Sequence, residues 1–567
     1  MKKILKIALI FGVVAFVAPS CSNWLDVNEN PNVPTTPNMQ QLLSGAQERM
    51  AFSFSHGSAQ LGNPLSVIVQ HSTTREQNDF NFQPTNVSLT NVWQSVYAGF
   101  ATGTIMPTIN LLLRESAANN APHFTGIAQV MKAFIMMTMV DVWGEIPFSQ
   151  AFDATNFPHP MLDRGQDVYN ALFDLLREAR ENLAQPANLL FPVGTADLIY
   201  GGNVDRWTRL ANSLQFRMLV NTRNVRPMIT AGGGWDALLA EVIDRDARIQ
   251  GGRTFAAASD FEFRYTTATS PTDERNPGFL RSYVQAHTDF PSIWMWEVLN
   301  GLTYNHTNNP LAGISDPRLP FYIYLQLPPD GELAFTPPYR HGAFFGIFLG
   351  DQSGLTGAAF TRTPVWGVYP VGGIFDAGQG VAHTGGSSGA QGAVPQRFYT
   401  FADMLFNEAE MMLVGAMPGD ARATFQEAII AAFDHLHKVV VGLPGVPAAV
   451  ITNAVRDAYI DAVLARFDNA DADERMHLVM LQKWIHNVHN GIEAFTSLRR
   501  TGFPILFNPN NPNGGFDPES DGPRSTINLF PFPNTLPFPQ NDVDRNPNMD
   551  QKDLNNPPPP FWQTINL

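Results

Sequence analysis

The stretch FTGIAQVMKAFIMMTMVDVWGEIPF, residues 124–148, decides how the rest of the chain is read. Phe124, Ile127, Ala128, Met131, Phe134, Ile135, Thr138, Met139 and Val142 recur at i, i+3, i+4 and i+7. That spacing places them on one face of an α-helix. The pattern stops at Gly144, with Pro147 beyond it, as helix ends do. On this reading Trp143 plugs a core, Gly144 takes a left-handed turn and Pro147 blocks continuation.

The same period extends in both directions. Upstream, Asn38 to Phe54 sets Leu42, Leu43, Ala46 and Met50 on one side. Downstream, helices are predicted around Val168 to Asn182 and Asn203 to Asn221, the latter with Trp207, Leu210, Ala211, Leu214 and Met218 on one face. In the second half, Phe398 to Leu413, Phe425 to Leu436 and Ala448 to Phe467 read as three more. Met476 to Leu498 reads as one long helix or two in tandem. Short links between such helices predict antiparallel pairs. The fold class is therefore mainly α, with a helical scaffold over about 38–250 and 397–502. Between them, about 255–395, long helical patterns are scarce. Pro328-Pro329, Pro337-Pro338 and the Gly385–Gly392 stretch are loop signals, and Phe321-Tyr322-Ile323-Tyr324 is a candidate strand. A Pro- and Asn-rich tail occupies 503–567. Residues 38–567 are read as a single domain, the middle region packed on the scaffold.

With 567 residues and 44% apolar composition the chain can bury a sizeable core. Its net charge is −15, and loss of Lys2, Lys3 and Lys6 would make it −18. Such a surface repels phosphate backbones, which argues against a nucleic-acid partner, and it suits a neutral or cationic ligand. Cys21 is the sole cysteine, so neither an internal disulfide nor a cysteine zinc site is available.

The amino terminus has the three parts of a secretory signal over 1–20: basic Lys2, Lys3 and Lys6, an apolar run from Ile4 to Val17, and small residues before Cys21. Those residues look like a lipobox, with Pro19 a departure from the commonest form. Cys21 then becomes the lipidated first residue of the mature chain, and 21–37 a polar leader. The competing reading is an ordinary signal peptide with an incidental cysteine.

Motifs in order along the chain resemble the SusD/RagB-type nutrient-binding lipoproteins, in particular the SusD-like, starch-binding-associated branch. They are Leu25-Asp26-Val27-Asn28 after Cys21, Trp93 with Tyr97, Asp141 through Phe148, and Tyr200 through Arg217. Asp316 to Leu319, Phe406 to Glu410, Gln482 to Trp484 and Arg499 to Pro504 follow. The resemblance implies tetratricopeptide-like helix pairs in a right-handed scaffold. It implies an outer-membrane lipoprotein, exposed at the cell surface, that captures a glycan or other oligomeric nutrient. It also implies a partner, a SusC-like TonB-dependent barrel, over which the protein sits as a lid. No cofactor and no catalysis are implied. Two departures from the family pattern are the lack of a dense Asp/Glu cluster after Cys21 and a middle region rich in Gly and Phe. The alternative is a structural accessory subunit with no ligand of its own; a surface enzyme is the third reading.

Trp294, Trp296, Tyr304, Asn305, Trp366 and Tyr369 lie in the middle region, where aromatic rings can stack on the apolar faces of an oligosaccharide or oligopeptide. Trp294 and Trp296 alternate, so a strand would put both on one face. Asp542, Asp544 and Asn546, with Asn548, Asp550 and Asp553, fall at calcium-loop spacing. Pro547 stands where such a loop needs Gly, so a solvated polar tail is the competing reading. Gly385 to Gly389 fits G-x-S-x-G without the strand and helix a nucleophile elbow requires. His486 with His489, and His435 with His437, are paired without an evident third ligand and read as surface or core histidines. Cys21→Ala is expected to abolish membrane attachment and fatty-acid labelling in cells; a variant that still labels and still sediments with membranes refutes the anchor.

Overall fold

Apolar spacing becomes helix where the sequence supplies caps. The computed structural model describes residues 38–57, 60–74, 86–98, 104–247, 259–285, 289–303, 309–333, 337, 339–347, 362–448, 450–505, 532–553 and 555–565. The early scaffold runs α1 (Met39–Phe54), α2 (Gly62–Ile68), α3 (Asn86–Tyr97), α4 (Met106–Ala118), α5 (Pro122–Trp143), α6 (Gly165–Leu183), α7 (Val204–Thr222) and α8 (Trp235–Ala247). The middle region holds α9 (Ile293–Asn300). The late scaffold is α10 (Phe401–Leu413), α11 (Ala421–Val440), α12 (Asn453–Asn469), α13 (Ala472–His486) and α14 (Gly491–Thr501). Cys21, the segment 1–20 and the leader 21–37 lie outside the described residues.

Some helix boundaries differ from the sequence expectation: α10 starts at Phe401, with Phe398 in a strand before it, and α6 starts at Gly165 rather than Val168. The α12 helix starts at Asn453 rather than Ala448, because the Thr452 side chain accepts the Val455 N–H and caps it there. The Met476–Leu498 pattern is, of the two readings, two helices in tandem, α13 and α14, separated by a turn in which His489 has φ +65. The α5 terminus is close to expectation: Gly144 has φ +78, although its ψ of −73 lies outside the left-handed helical region.

Neighbouring helices pair: α5 with α4 and α6, α6 with α7, α10 with α11 and α13, and α11 with α12. A Cβ at Gly126 would sit 2.6 Å from the Leu183 side chain and 2.9 Å from the Ala179 carbonyl, so glycine there lets α6 approach α5 closely. By length and composition α5 would pass for a membrane span, yet it is buried inside the protein.

Strands are short and form two-stranded antiparallel pairs: β1 (Ser72–Thr74) with β3 (Asp289–Pro291), β2 (Phe261–Arg264) with β8 (Pro395–Tyr399), β4 (Ile323–Tyr324) with β7 (Val365–Trp366), and β5 (Tyr339–His341) with β6 (Phe344–Gly346). The β2–β8 pair joins the two ends of the middle region, and β1–β3 ties its interior to the early scaffold. Of the run 321–324 only Ile323 and Tyr324 are strand; Leu319–Tyr322 is a turn of helix. One contiguous core takes residues from Met39 to Trp562 and includes Trp296, Trp366 and Tyr369 of the middle region.

Inside that core lies an ionic network. Arg217 on α7 donates to Glu493 on α14 at 2.7 Å and pairs with Asp141 on α5 at 3.2 Å. Lys483 on α13 reaches Glu493 and Asn407, each at 2.7 Å. Arg500 holds Glu410 on α10 through two contacts, 2.7 and 2.6 Å, and Arg223 pairs with the same carboxylate at 2.5 Å. All these side chains are almost fully buried. Burial alone would raise the Glu410 carboxyl, but Arg223 and Arg500 hold it down at about 2. Asp141 also accepts from Tyr169 and from Trp562 of the tail, while Arg499 caps the Asp141 carbonyl at 2.6 Å.

Truncating Glu410 to Ala strands two guanidinium groups and should cost about 3–5 kcal/mol at neutral pH in denaturant titration. Its folded pKa is depressed, so its stabilisation is present above the ordinary carboxylate range and lost as pH falls toward 2. The gap between wild type and Glu410→Ala should accordingly narrow from about pH 4.5 downward; a constant gap would refute the ionic account.

Candidate ligand-binding groove

Of the aromatic residues expected to bind ligand, Trp294, Trp296, Trp366 and Tyr369 are buried. Trp294 and Trp296 sit on α9, not on a strand. Ser292 caps that helix by accepting from the Met295 N–H, and Gly301 ends it with φ +64. Two positions on a helix turn through about 200°, so the rings point apart instead of sharing a face. Trp296 stacks on Phe344 at 4.5 Å between centroids. Trp366 is completely buried and donates to Asp289 at 2.9 Å. Tyr369 bonds His435 at 3.1 Å and lies against Arg397. None of the four offers a free ring face for stacking in this conformation. Tyr304 and Asn305 lie outside the described residues.

The histidine pairs do acquire third partners, from remote segments. His56, at the end of α1, joins Asp289 at 2.8 Å and Ser66 at 3.1 Å, and stacks on His489 at 3.7 Å. The order Ser–His–Asp is that of a hydrolase relay. Here, however, all three are buried, and the backbone of Gly491 presses on Ser66 so closely that a Cβ there would lie 2.8 Å from its hydroxyl. The arrangement clamps α1, α2, β3 and the α13–α14 turn. His435 meets Glu262 at 3.1 Å, and Lys438 reaches Asp260 at 2.6 Å and Glu262 at 3.1 Å. A lysine ammonium thus already bridges that carboxylate pair. Gly385–Ser387 forms a single 3-10 turn, not a strand–serine–helix elbow.

What the structure does present is an open groove of about 380 Å³ at the carboxy-terminal end of α5. Three segments build it: the end of α3, the chain after the D-V-W-G-E-I-P stop, and the tail. Trp93 and Tyr97 form its floor, with ring centroids 4.8 Å apart. Trp93 also packs edge-on against Trp143, and Tyr97 stacks on Phe152 at 5.6 Å with planes 14° apart. The Tyr97 hydroxyl donates to the Pro147 carbonyl at 2.9 Å. Phe152 has φ +69, an uncommon conformation for an aromatic residue, and is 38% exposed. Phe157 is 41% exposed, and Pro158 and Pro160 complete that wall. Asp542 and Arg545 of the tail form the rim; burial raises the Asp542 carboxyl pKa and Arg545 opposes it.

The calcium candidates fall on this same rim but in another role. Asn546 donates to the Pro160 carbonyl at 2.8 Å and Asn548 to the His159 carbonyl at 2.7 Å. The Asn546 oxygen accepts the Asn548 N–H, and Asp544 accepts from Gln540. These groups stitch the tail to the groove wall, and the clusters of three ligating side chains among the described residues lie elsewhere. The groove was missed in the sequence because its residues come from three remote segments. The available signal was FDATNFPHP, residues 152–160, where two phenylalanines stand in a stretch without helical or strand period.

Exposed aromatic faces beside prolines, with a carboxylate, a guanidinium and amides at the edge, suit an uncharged polyhydroxylated ligand. Residues 31–521 match the family of SusD-like proteins described as starch-binding and associating with the outer membrane, and the chain belongs to that family. Its fold is similar to a chitin-binding protein at 18% identity, covering 93% of this chain and 100% of that one, TM-score 0.63. It is also similar to a SusD homolog from Bacteroides fragilis at 16% identity, covering 90% and 94%, TM-score 0.62. A SusD/RagB family protein from Bacteroides thetaiotaomicron matches at 18% identity, covering 90% and 95%, TM-score 0.61. No curated protein matches the sequence.

Because Trp366 fills the core, Trp366→Ala should destabilise the protein by about 3–5 kcal/mol in thermal or denaturant unfolding. An unchanged unfolding midpoint would show that the ring is not packed as described.

Proposed function

We propose that this chain is a surface lipoprotein, anchored through Cys21. It captures an oligosaccharide or a similar oligomeric nutrient in the Trp93–Tyr97–Phe157 groove and passes it to a TonB-dependent outer-membrane transporter, over which it sits as a lid. The carrying observation is the groove itself, where Phe152 and Phe157 are held part-exposed beside polar groups. Monomeric proteins seldom leave aromatic rings clustered in this way without a use for them. An open groove with a few stacking faces binds modestly, and a transfer protein has to release what it captures. Starch and chitin fragments are the first ligands to try, given the family description and the chitin-binding relative. The net charge of −15 favours these neutral chains over anionic ones.

Isothermal titration with starch and chitin oligosaccharides, and with neutral and cationic oligopeptides, tests the reading. Phe157→Ala should weaken binding of the responding ligand roughly tenfold, about 1.4 kcal/mol, without lowering the unfolding midpoint. Unchanged affinity moves the site elsewhere. No response to any ligand, together with co-purification of a barrel, would favour the structural accessory subunit.

A further inference from the structure

At the opposite end of α5 from the groove lies a second exposed apolar feature. Leu189 is 88% exposed and Leu190 84%, the highest values among the large apolar side chains described. Phe191 beside them is 36% exposed. They are displayed on a built turn. Asn188 accepts the Leu190 N–H at 3.0 Å, and its amide donates to the carbonyls of Asn119 and Asn120 at 3.0 and 3.1 Å. His123 at the start of α5 bonds the Gln185 carbonyl at 2.8 Å. Gln40 donates to the Pro192 carbonyl at 2.8 Å and Ser44 to the Ala196 carbonyl at 3.0 Å, so α1 secures the far side of the loop.

We propose that Leu189, Leu190 and Phe191 form a membrane-contacting tip that dips into the hydrocarbon edge of the bilayer to which the chain is anchored; this rests on the lipoprotein reading above. Two observations select lipid as the occupant. First, Asn188, Gln40 and His123 are already committed to backbone carbonyls, so the most exposed side chains of the turn, Leu189 and Leu190, are hydrocarbon, while the exposed Glu178 and Glu181 stand on α6 and not on the turn. A specific protein interface carries roughly one hydrogen bond per 100–200 Å², whereas lipid asks for none. Second, the loop is fastened to Gln40, two residues after the point where the leader joins the fold, and residues 22–37 alone separate that point from Cys21. Among the described residues lining the flank are exposed Glu178 and Glu181 and no lysine or arginine, so the contact is apolar and not an attraction to anionic headgroups. The 22-residue α5 is about 33 Å long. A tip seated in the membrane at one end therefore leaves the groove end free to swing.

The test uses the full lipidated chain. With Cys21 acylated, Leu190→Cys supplies the only free thiol, which is labelled with an environment-sensitive fluorophore; Val455→Cys, exposed on α12, is the control. Both proteins are reconstituted in phosphatidylcholine vesicles with and without phosphatidylglycerol. The expected result is blue-shifted emission, quenched by shallow spin-labelled lipid, for Leu190→Cys alone and independent of phosphatidylglycerol. A water-like spectrum from a protein that still floats with the vesicles overturns the tip while leaving the anchor standing. Failure to acylate or to float overturns the anchor reading itself. A label exposed in plain vesicles but shielded in native outer membranes shows a protein occupant and also overturns the proposal.

Discussion

Glu493 receives Arg217 on one oxygen and Lys483 on the other, and that single carboxylate joins three helices from opposite ends of the sequence. Two steps away, Glu410 holds Arg500 and Arg223. Taking these charges out of water is expensive, and hydrocarbon of the same volume could pack as well. What an ionic junction adds is uniqueness: Arg217 fits only where Asp141 and Glu493 converge, so the early and late helix pairs have one register in which every charge is met. The groove depends on that register, because Asp141 belongs to the same short motif that turns the chain toward Pro147 and the aromatic floor.

The helices were legible because each buries a stripe whose period is visible locally. Even the stop at Trp143–Gly144 could be read, since a helix end is a matter of a few adjacent residues. The α9 helix was not legible. Eight residues, nearly all apolar, carry no period that separates a buried helix from a buried strand, and the deciding signals were Ser292 and Gly301 at its two ends. The family resemblance, by contrast, survived because its motifs are the ionic and turn residues themselves: Asp141, Arg217, Asp316 with Arg318, Glu410, Lys483 and Arg500.

The site was legible only in pieces. Trp93 and Tyr97, legible in the sequence as part of the family resemblance, floor the groove. Asp542 and Asn546, which fall at calcium-loop spacing, line the groove, and Asn546 ties the tail to Pro160. Trp294, Trp296, Trp366 and Tyr369 have the ring chemistry for stacking, yet ring type does not say whether a face meets water, and all four are buried. Exposure is a property of the assembled fold, and here it was granted to Phe152 and Phe157, two residues with no motif around them.

The tail gives the fold a particular order of assembly. Trp562 donates to Asp141 at 3.0 Å, Trp143 donates to the Pro537 carbonyl at 3.0 Å, and Lys552 sets its ammonium against the Trp143 carbonyl at the negative end of α5. The central helix of the molecule is thus sealed by residues about four hundred positions later. Contacts of such long sequence separation close slowly. During synthesis α5 leaves the ribosome long before its closing partners exist, so the nascent chain has no complete core to settle into.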